Sequence, residues 1–595
     1  MDYAAQPNLP SMFFAQAAAL GERPFLWARR GGGWQGQSYA GAARAAEQLA
    51  RGLLALGMGP GDRVAIVAEN RPEWAIADLA IMAIGAITVP GYTTYTADDH
   101  LYMLDHSGAR AVIVGNAALA HHVLPAARSA EGCASAIMIE DAPADHLAAG
   151  LVVHGWDEVL ALGAGRDDDV VAAARHIARD DTACFIYTSG TGGRPKAVML
   201  SHRAILANCL SAWHLLEELG IGDEIFLSLL PLSHSFEHTI GLFFPISIGA
   251  QVYYAEGPDQ LAANLAEVRP TIMTAVPRLY EALYNRIRRG VAREGGRKAK
   301  LFDDALRLGR KRLTGRLGLT ERAYDLLLDA TVRRKVAQRF GGRLKAFVSG
   351  GAALDPDIGS FFLALGVRLS QGYGQTEAAP VIAANPPGRI RIETVGPPLF
   401  GVTVKIAEDG EILVRGDMLM NGYWRDDAAT AEAIVDGWLH TGDIGRLDPD
   451  GYLSITDRKK DIIVNSGGDN IAPARVEGRL TLAPEIAQAM VYGDKRPWLS
   501  AVLVPDEQFV AEHARARGVA PELAALAADP LFHKAMAGAL DEINKTLPAI
   551  EKIRRFVIAP EPFTAQNKML TPTLKTRRHA IRAAYFEALD ALYAR

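Results

Sequence analysis

Along the first 180 residues apolar positions switch repeatedly between a helical and an extended period. Ala42, Ala46, Leu49, Leu53 and Leu56 recur three or four apart, the spacing of one helix face, and Gly57 and Gly59 close that element. Residues 64–68 form a short apolar run ending at Glu69 and Asn70, which predicts a buried strand. A second helix is expected around residues 74–84, and residues 111–114 repeat the strand pattern. The uncharged run 79–97 is broken by Gly85, Pro90 and Gly91, so it reads as a buried helix leading into a loop, and no spanning helix is expected. Further strands are expected at 184–187, 225–230 and 344–348, and this alternation is that of α/β proteins. Residues 487–492 and 499–504 read as strands, with helices expected to follow to about Leu547.

Length adds a second level of organisation, because 595 residues exceed what one ordinary core organises. Two or more domains are expected. The formal charge of −5 gives no general pull toward nucleic acid or membrane, so any such attraction has to be local, and no nucleic-acid partner is expected. Cys133, Cys184 and Cys209 are too few and too scattered for a disulfide framework or a cysteine zinc site, which fits a reducing cytoplasm. With an acid at Asp2 and no basic segment before an apolar run, no secretory signal is expected.

The most informative chemistry begins where the strand at 184–187 runs into Thr188, Ser189, Gly190, Thr191, Gly192 and Gly193, followed by Arg194, Pro195 and Lys196. Small residues let successive backbone N–H groups turn toward one point, hydroxyls add donors and the lysine adds charge, a composition suited to polyphosphate. A Walker loop needs Gly-Lys-Ser/Thr, whereas Pro195 precedes Lys196 and Ala197 follows it, so an ordinary P-loop is excluded. A flexible surface loop is the plain alternative.

This stretch resembles the phosphate loop of the adenylate-forming superfamily (acyl-CoA synthetases, luciferases and peptide-synthetase adenylation domains), Tyr-Thr-Ser-Gly-Thr-Thr-Gly-x-Pro-Lys-Gly. Gly192 departs by removing a hydroxyl, and Ala197 departs by placing a methyl that is expected to tighten the loop's exit. Downstream segments carry the same resemblance. SGGAAL brings Gly350, Gly351 and Ala352, and LSQGYGQTE brings Gln371, Gly372, Tyr373, Gly374, Thr376 and Glu377. Asp443, Ile455, Asp457 and Arg458 stand in the segment 436–473, as do Gly467 and Gly468, with Asp469 where Glu is usual. The C-terminal NKMLTPTLKTRR resembles the family's lysine motif in its long-chain form, aligning Lys575 ahead of Lys568.

The resemblance implies a large multi-sheet α/β N-terminal domain (1–456), a hinge at Asp457 and Arg458, and a small mobile α+β C-terminal domain (459–595). It implies that ATP or AMP meets the loop residues 188–193 and Lys196, the two glycine-rich segments, Asp443 and Arg458 at the ribose, Ile455 and Lys575. Thr188 and Glu377 would help hold Mg²⁺, Gly467 and Gly468 would border the CoA channel, and Lys575, Lys196 and His234 would be catalytic. The implied activity is ATP-dependent conversion of a fatty, long-chain acid to acyl-AMP and then acyl-CoA, with Mg²⁺ as cofactor and fatty acid, ATP and CoA as partners. Delivery of the acyl group to a carrier protein is the alternative. A homodimer is compatible with the sequence, and no residue specifies one.

Two features admit other readings. His234-x-x-Glu237-His238 has the form of an inverted zinc-protease motif, whereas in the resembled family the histidine stands at the carboxylate end of the acyl pocket. The stretch 286–316 holds twelve Lys or Arg against three acids, with Leu301, Phe302, Ala305, Leu306 and Leu313 at helical spacing. Such a helix either lies on an anionic membrane surface, peripheral to its inner face, or presents a solvated charged flank.

Overall fold

A computed structural model describes residues 1–141, 150–188, 194–467, 469–571 and 575–594. Two eight-stranded sheets and one five-stranded sheet build the large N-terminal body. In the first, Thr182–Thr188 lies between Lys196–Ser201 and Ile87–Pro90, with Arg63–Val67, Ala109–Val114, Ser135–Met138 and Val152–Gly155 continuing the order. The strand Thr182–Thr188 reads as one apolar run because both its faces are covered: Cys184 and Ile186 enter one core, Phe185 and Tyr187 another. The run 79–97 departs from expectation. After the helix Pro72–Ala83 it forms the strand Ile87–Pro90, parallel to Arg63–Val67, before the loop. Four residues ending in proline are too short for a period to show, and Pro90 is tolerated because it closes the strand.

The second sheet places Leu369–Gly374 beside Ala346–Ser349, so the ends of both strands open onto the same side. The five-stranded sheet pairs Trp438–Leu447 with Leu453–Arg458, across which Asp443 faces Arg458 and Ile444 faces Asp457.

Beyond this point the chain has its own cores. The strands Ile486–Tyr492, Leu499–Pro505 and Ile553–Ile558 form one sheet. Leu499, Ala501 and Leu503 point to helices carrying Val476, Phe532 and Met536, while Val502 and Val504 pack on Met569, Ile581 and Leu589. Polar bridges join the two bodies: Arg289 reaches Asp506 at 3.2 Å and Gln508 at 2.7 Å, and Arg479 meets Asp355 at 3.6 Å and also Asp357. Between them lies a cleft of about 3220 Å³, more than one drug-sized ligand fills. Among the described residues no helix is long and apolar enough to cross a membrane.

Candidate active site

Hydrogen bonds hold one wall of this cleft. The Tyr373 hydroxyl donates to Asp443 Oδ2 at 2.6 Å, and Arg458 Nε donates to Oδ1 at 3.1 Å. Burial, with the Asp443 charge adding to it, pushes the Tyr373 phenol well above its ordinary range, so it stays a donor. The carboxylate thus presents both oxygens at the end of a ladder, fixed in orientation. Gln371, Gly372, Thr376 and Ile455 line the same cleft, as do Gly350, Gly351 and Ala352. Gly374 is demanded by packing, since a Cβ there would stand 1.9 Å from the Pro380 carbonyl oxygen. Gly351 has φ +86°, where a side chain is strained.

The phosphate-loop candidates Ser189, Gly190, Thr191, Gly192 and Gly193 lie outside the described residues. Their flanks form an antiparallel hairpin that sets Thr188 opposite Lys196, both lining the cleft. Ala197, at the loop's exit, is part of the sheet. It pairs with Tyr187 in the ladder and is fully buried, so its methyl fills core volume. Lys196 Nζ sits 4.7 Å over the Tyr423 ring and 3.7 Å from Asp426, and the Tyr423 hydroxyl donates to Glu377 Oε1 at 2.8 Å. Thr376 and Ser235 share a hydroxyl bond of 3.1 Å.

Tyr423 and Ser235 are cleft-side groups that sequence reasoning missed, as is Asp426, the partner of Lys196. Tyr423 arrives on a two-residue strand, Gly422–Tyr423, added to the edge of Lys196–Ser201, and nothing local marks it.

The HSFEH segment splits its side chains. His234 is half-buried on the cleft, and its Nδ1 accepts from the Phe236 backbone N–H at 3.2 Å. Burial, with Lys575 nearby, pushes its pKa down to about 3, so the neutral ring presents Nε2–H. Glu237 and His238 turn into the core on a π-helical segment, Glu237–Phe243. His238 Nε2 bonds Asp78 Oδ2 at 2.8 Å with both side chains fully buried, and Thr274 Oγ1 donates to Glu237 Oε2 at 2.6 Å. Burial lifts the Glu237 carboxyl to about 7. The two imidazoles therefore do not converge on one point as the zinc form requires, and among the described residues no cluster of three or more His, Cys, Asp or Glu is suited to a metal. Asp78, an acid inside an apolar helix, was the sequence signal for a buried partner.

From the small domain Lys575 enters the cleft, exposed to its water yet enclosed by its walls. That enclosure, with Arg458 adding to it, pushes the ammonium down to about 8, while Asp443 and Glu377 oppose the shift. Lys568 and Gly467 are not among the cleft's lining residues, and Gly468 lies outside the described residues.

The family model for AMP-binding enzymes matches residues 13–424, and that for the AMP-binding enzyme C-terminal domain matches 460–595. The chain is 34% identical over 572 residues to long-chain-fatty-acid–CoA ligase FadD15 of Mycobacterium bovis, covering 94% of this chain and 93% of that protein. It is 30% identical over 591 residues to the peroxisomal long chain acyl-CoA synthetase 7 of Arabidopsis thaliana, covering 95% and 82%. Among solved structures, the A-PCP didomain of a carboxylic acid reductase from Segniliparus rugosus with AMP superposes with TM-score 0.80 at 22% identity, covering 100% of this chain and 83% of that one. O-succinylbenzoate CoA synthetase of Bacillus subtilis with ATP and magnesium gives 0.67 at 21%, covering 96% and 98%. These two likenesses concern the fold.

Proposed function

Because the chain belongs to the AMP-binding enzyme family, we propose that its cleft converts a long-chain fatty acid, with ATP, to acyl-AMP and pyrophosphate and then, with CoA, to acyl-CoA and AMP. The observation that carries this reading is Lys575 of the small domain standing within electrostatic reach of Asp443, Glu377, Arg458 and His234 on the large one. In the first step the acid's carboxylate oxygen bonds to the α-phosphorus as the bond to pyrophosphate breaks. In the second the CoA sulfur bonds to the acyl carbon and AMP leaves. Neither step needs a protein nucleophile, so the chain's contribution is placement and charge.

Asp443, backed by Tyr373 and Arg458, accepts from the ribose hydroxyls. His234 Nε2–H donates to the acid's carboxylate. Lys196, with the 188–193 loop, holds the β- and γ-phosphates, and Lys575 offsets charge on the α-phosphate. The Glu377 carboxylate and the Thr188 hydroxyl, hard oxygen donors on the same cleft, fit Mg²⁺, which is commonly bound by one or two carboxylates and substrate phosphates rather than an all-protein cage. When bound it would neutralise developing phosphate charge.

The second step requires the small domain to turn and bring the Gly467 and Gly468 loop to the cleft, with Asp457 and Arg458 as the hinge. One feature supports that choice. Asp457 Oδ1 accepts from the Arg458 N–H at 2.6 Å, while buried Oδ2 has no partner and burial lifts the carboxyl to about 6. A rotation that re-exposes this oxygen recovers its solvation.

The test is acid-dependent AMP release measured with and without CoA over a series of fatty acids. CoA-dependent thioester peaking with long chains is expected. Acyl-AMP that accumulates and passes only to a carrier protein would replace this reading.

A further inference from the structure

The basic stretch folds as the helices Pro277–Glu294 and Gly296–Thr314, and two observations take its own apolar face out of contention as a membrane surface. Phe302, Ala305 and Leu306 are buried in the domain. Several cations are paired within the protein: Arg307 with Asp304 at 3.1 Å, Lys311 with Glu321 at 2.7 Å, and Arg312 with Asp325 at 3.1 Å.

The next helix, Leu319–Leu328, packs against this stretch and presents the opposite arrangement. Leu319, Leu326 and Leu327 are 85%, 69% and 52% exposed, and Ala323 is exposed with them. These positions lie four, seven and eight residues from the first, so they share one face. Single exposed leucines are ordinary, but three on one helix face make a patch. The acids of this region are each paired with a cation, and Asp325 is buried. Glu321 is bonded to Lys311, Asp325 to Arg333 at 2.7 Å and Asp329 to Arg333 at 2.7 Å. Arg322, Arg334 and Lys335 are exposed, and residues 317–343 hold six cations against three acids.

We propose that this outward face is a docking surface for an anionic lipid bilayer, into whose headgroup boundary Leu319, Leu326 and Leu327 insert while Arg322, Arg334 and Lys335 meet lipid phosphates. An apolar stripe flanked by cations, with its acids neutralised by partners, is complementary to such a surface. It is poorly matched to a second copy of itself, which would set cation against cation. The inference does not depend on the acyl-CoA reading, although a water-insoluble acid dissolved in the bilayer suits it.

Sedimentation of the full-length protein with vesicles tests the proposal, comparing phosphatidylcholine alone with mixtures containing about a third phosphatidylglycerol at low salt. The parent is expected to favour the anionic vesicles by on the order of tenfold or more, and to lose that preference as salt is raised. Leu326→Asp with Leu327→Asp should abolish binding, and Arg322→Glu with Arg334→Glu should remove the anionic preference. Since all four side chains are exposed, thermal unfolding should be unchanged, and the arginine pair carries the test alone if the leucine pair misfolds. Binding that is equal for parent and variants, or absent from anionic vesicles, overturns the proposal. Concentration-dependent self-association that the leucine pair removes, without vesicle binding, assigns the face to a second copy and overturns it equally.

Discussion

On the large-domain side of the cleft Tyr373, Asp443 and Arg458 are joined by bonds of 2.6 and 3.1 Å at the end of a strand pair, whereas Lys575 comes to the same place from a body with its own sheet and cores. The first arrangement is internal to that side, since Asp443 and Arg458 face each other in one ladder and Tyr373 reaches Asp443 from a strand of another sheet. The second exists only in this relative pose, which is held by bridges such as Arg479 to Asp355 and Arg289 to Asp506. Arg479 and Arg289 each keep about a third of the side chain in solvent, and screening weakens such partly exposed pairs, so the pose can be exchanged at modest cost. A fixed wall can serve two steps, and a delivered lysine can serve one.

The strongest test of that division is Lys575→Ala. Loss of a preorganised charge at a transition state costs on the order of 3 kcal/mol or more, so acyl-AMP formation should slow about a hundredfold or beyond. Thioester formation from synthetic acyl-AMP and CoA should proceed near the parent rate. Equal slowing of both half-reactions, measured in single turnover, would remove the distinction between wall and lysine.

Asp443→Ala should behave in the opposite sense and somewhat more weakly. Removing an acceptor that orients the nucleotide leaves Tyr373 and Arg458 without their shared partner, a loss of about 1.5–3 kcal/mol for charged hydrogen bonds, or roughly tenfold to a hundredfold. Both half-reactions should fall together, and a defect confined to one would show that the wall is not common to them.

The smallest effect is in the pH profile. Burial and Arg458 lower the Lys575 ammonium to about 8, so its charge is present below that pH and lost as pH rises through it. Acyl-AMP formation should therefore decline about tenfold per unit above pH 8, while the thioester step should not share this limb. Lys575→Arg, whose guanidinium stays charged, should move the decline to higher pH even if its rate is lower. A limb that stays in place would assign it to another group.

The sequence alone determined what depends on near neighbours. Alternation of apolar runs marked the strands at 64–68, 487–492 and 499–504, and the fold class followed from their order with the helices, because burial on one or two faces imposes a period that is visible locally. Lys196, Glu377, Asp443 and Lys575, which the fold gathers on one cleft, each stand in a short motif that could be singled out in advance by its resemblance to a family pattern. Only the tertiary structure decided which way the groups of a single motif face. In HSFEH, His234 stands ahead of the π-helical segment Glu237–Phe243 and opens on the cleft, while Glu237 and His238, on that segment, go inward to Thr274 and Asp78. Partners such as Asp78 for His238 and Tyr423 for Glu377 and Lys196 are brought in by sheet order and helix packing. Pairings across 160 or 46 residues leave no periodic trace, because what selects them is the three-dimensional fit of distant surfaces rather than any property of the intervening chain.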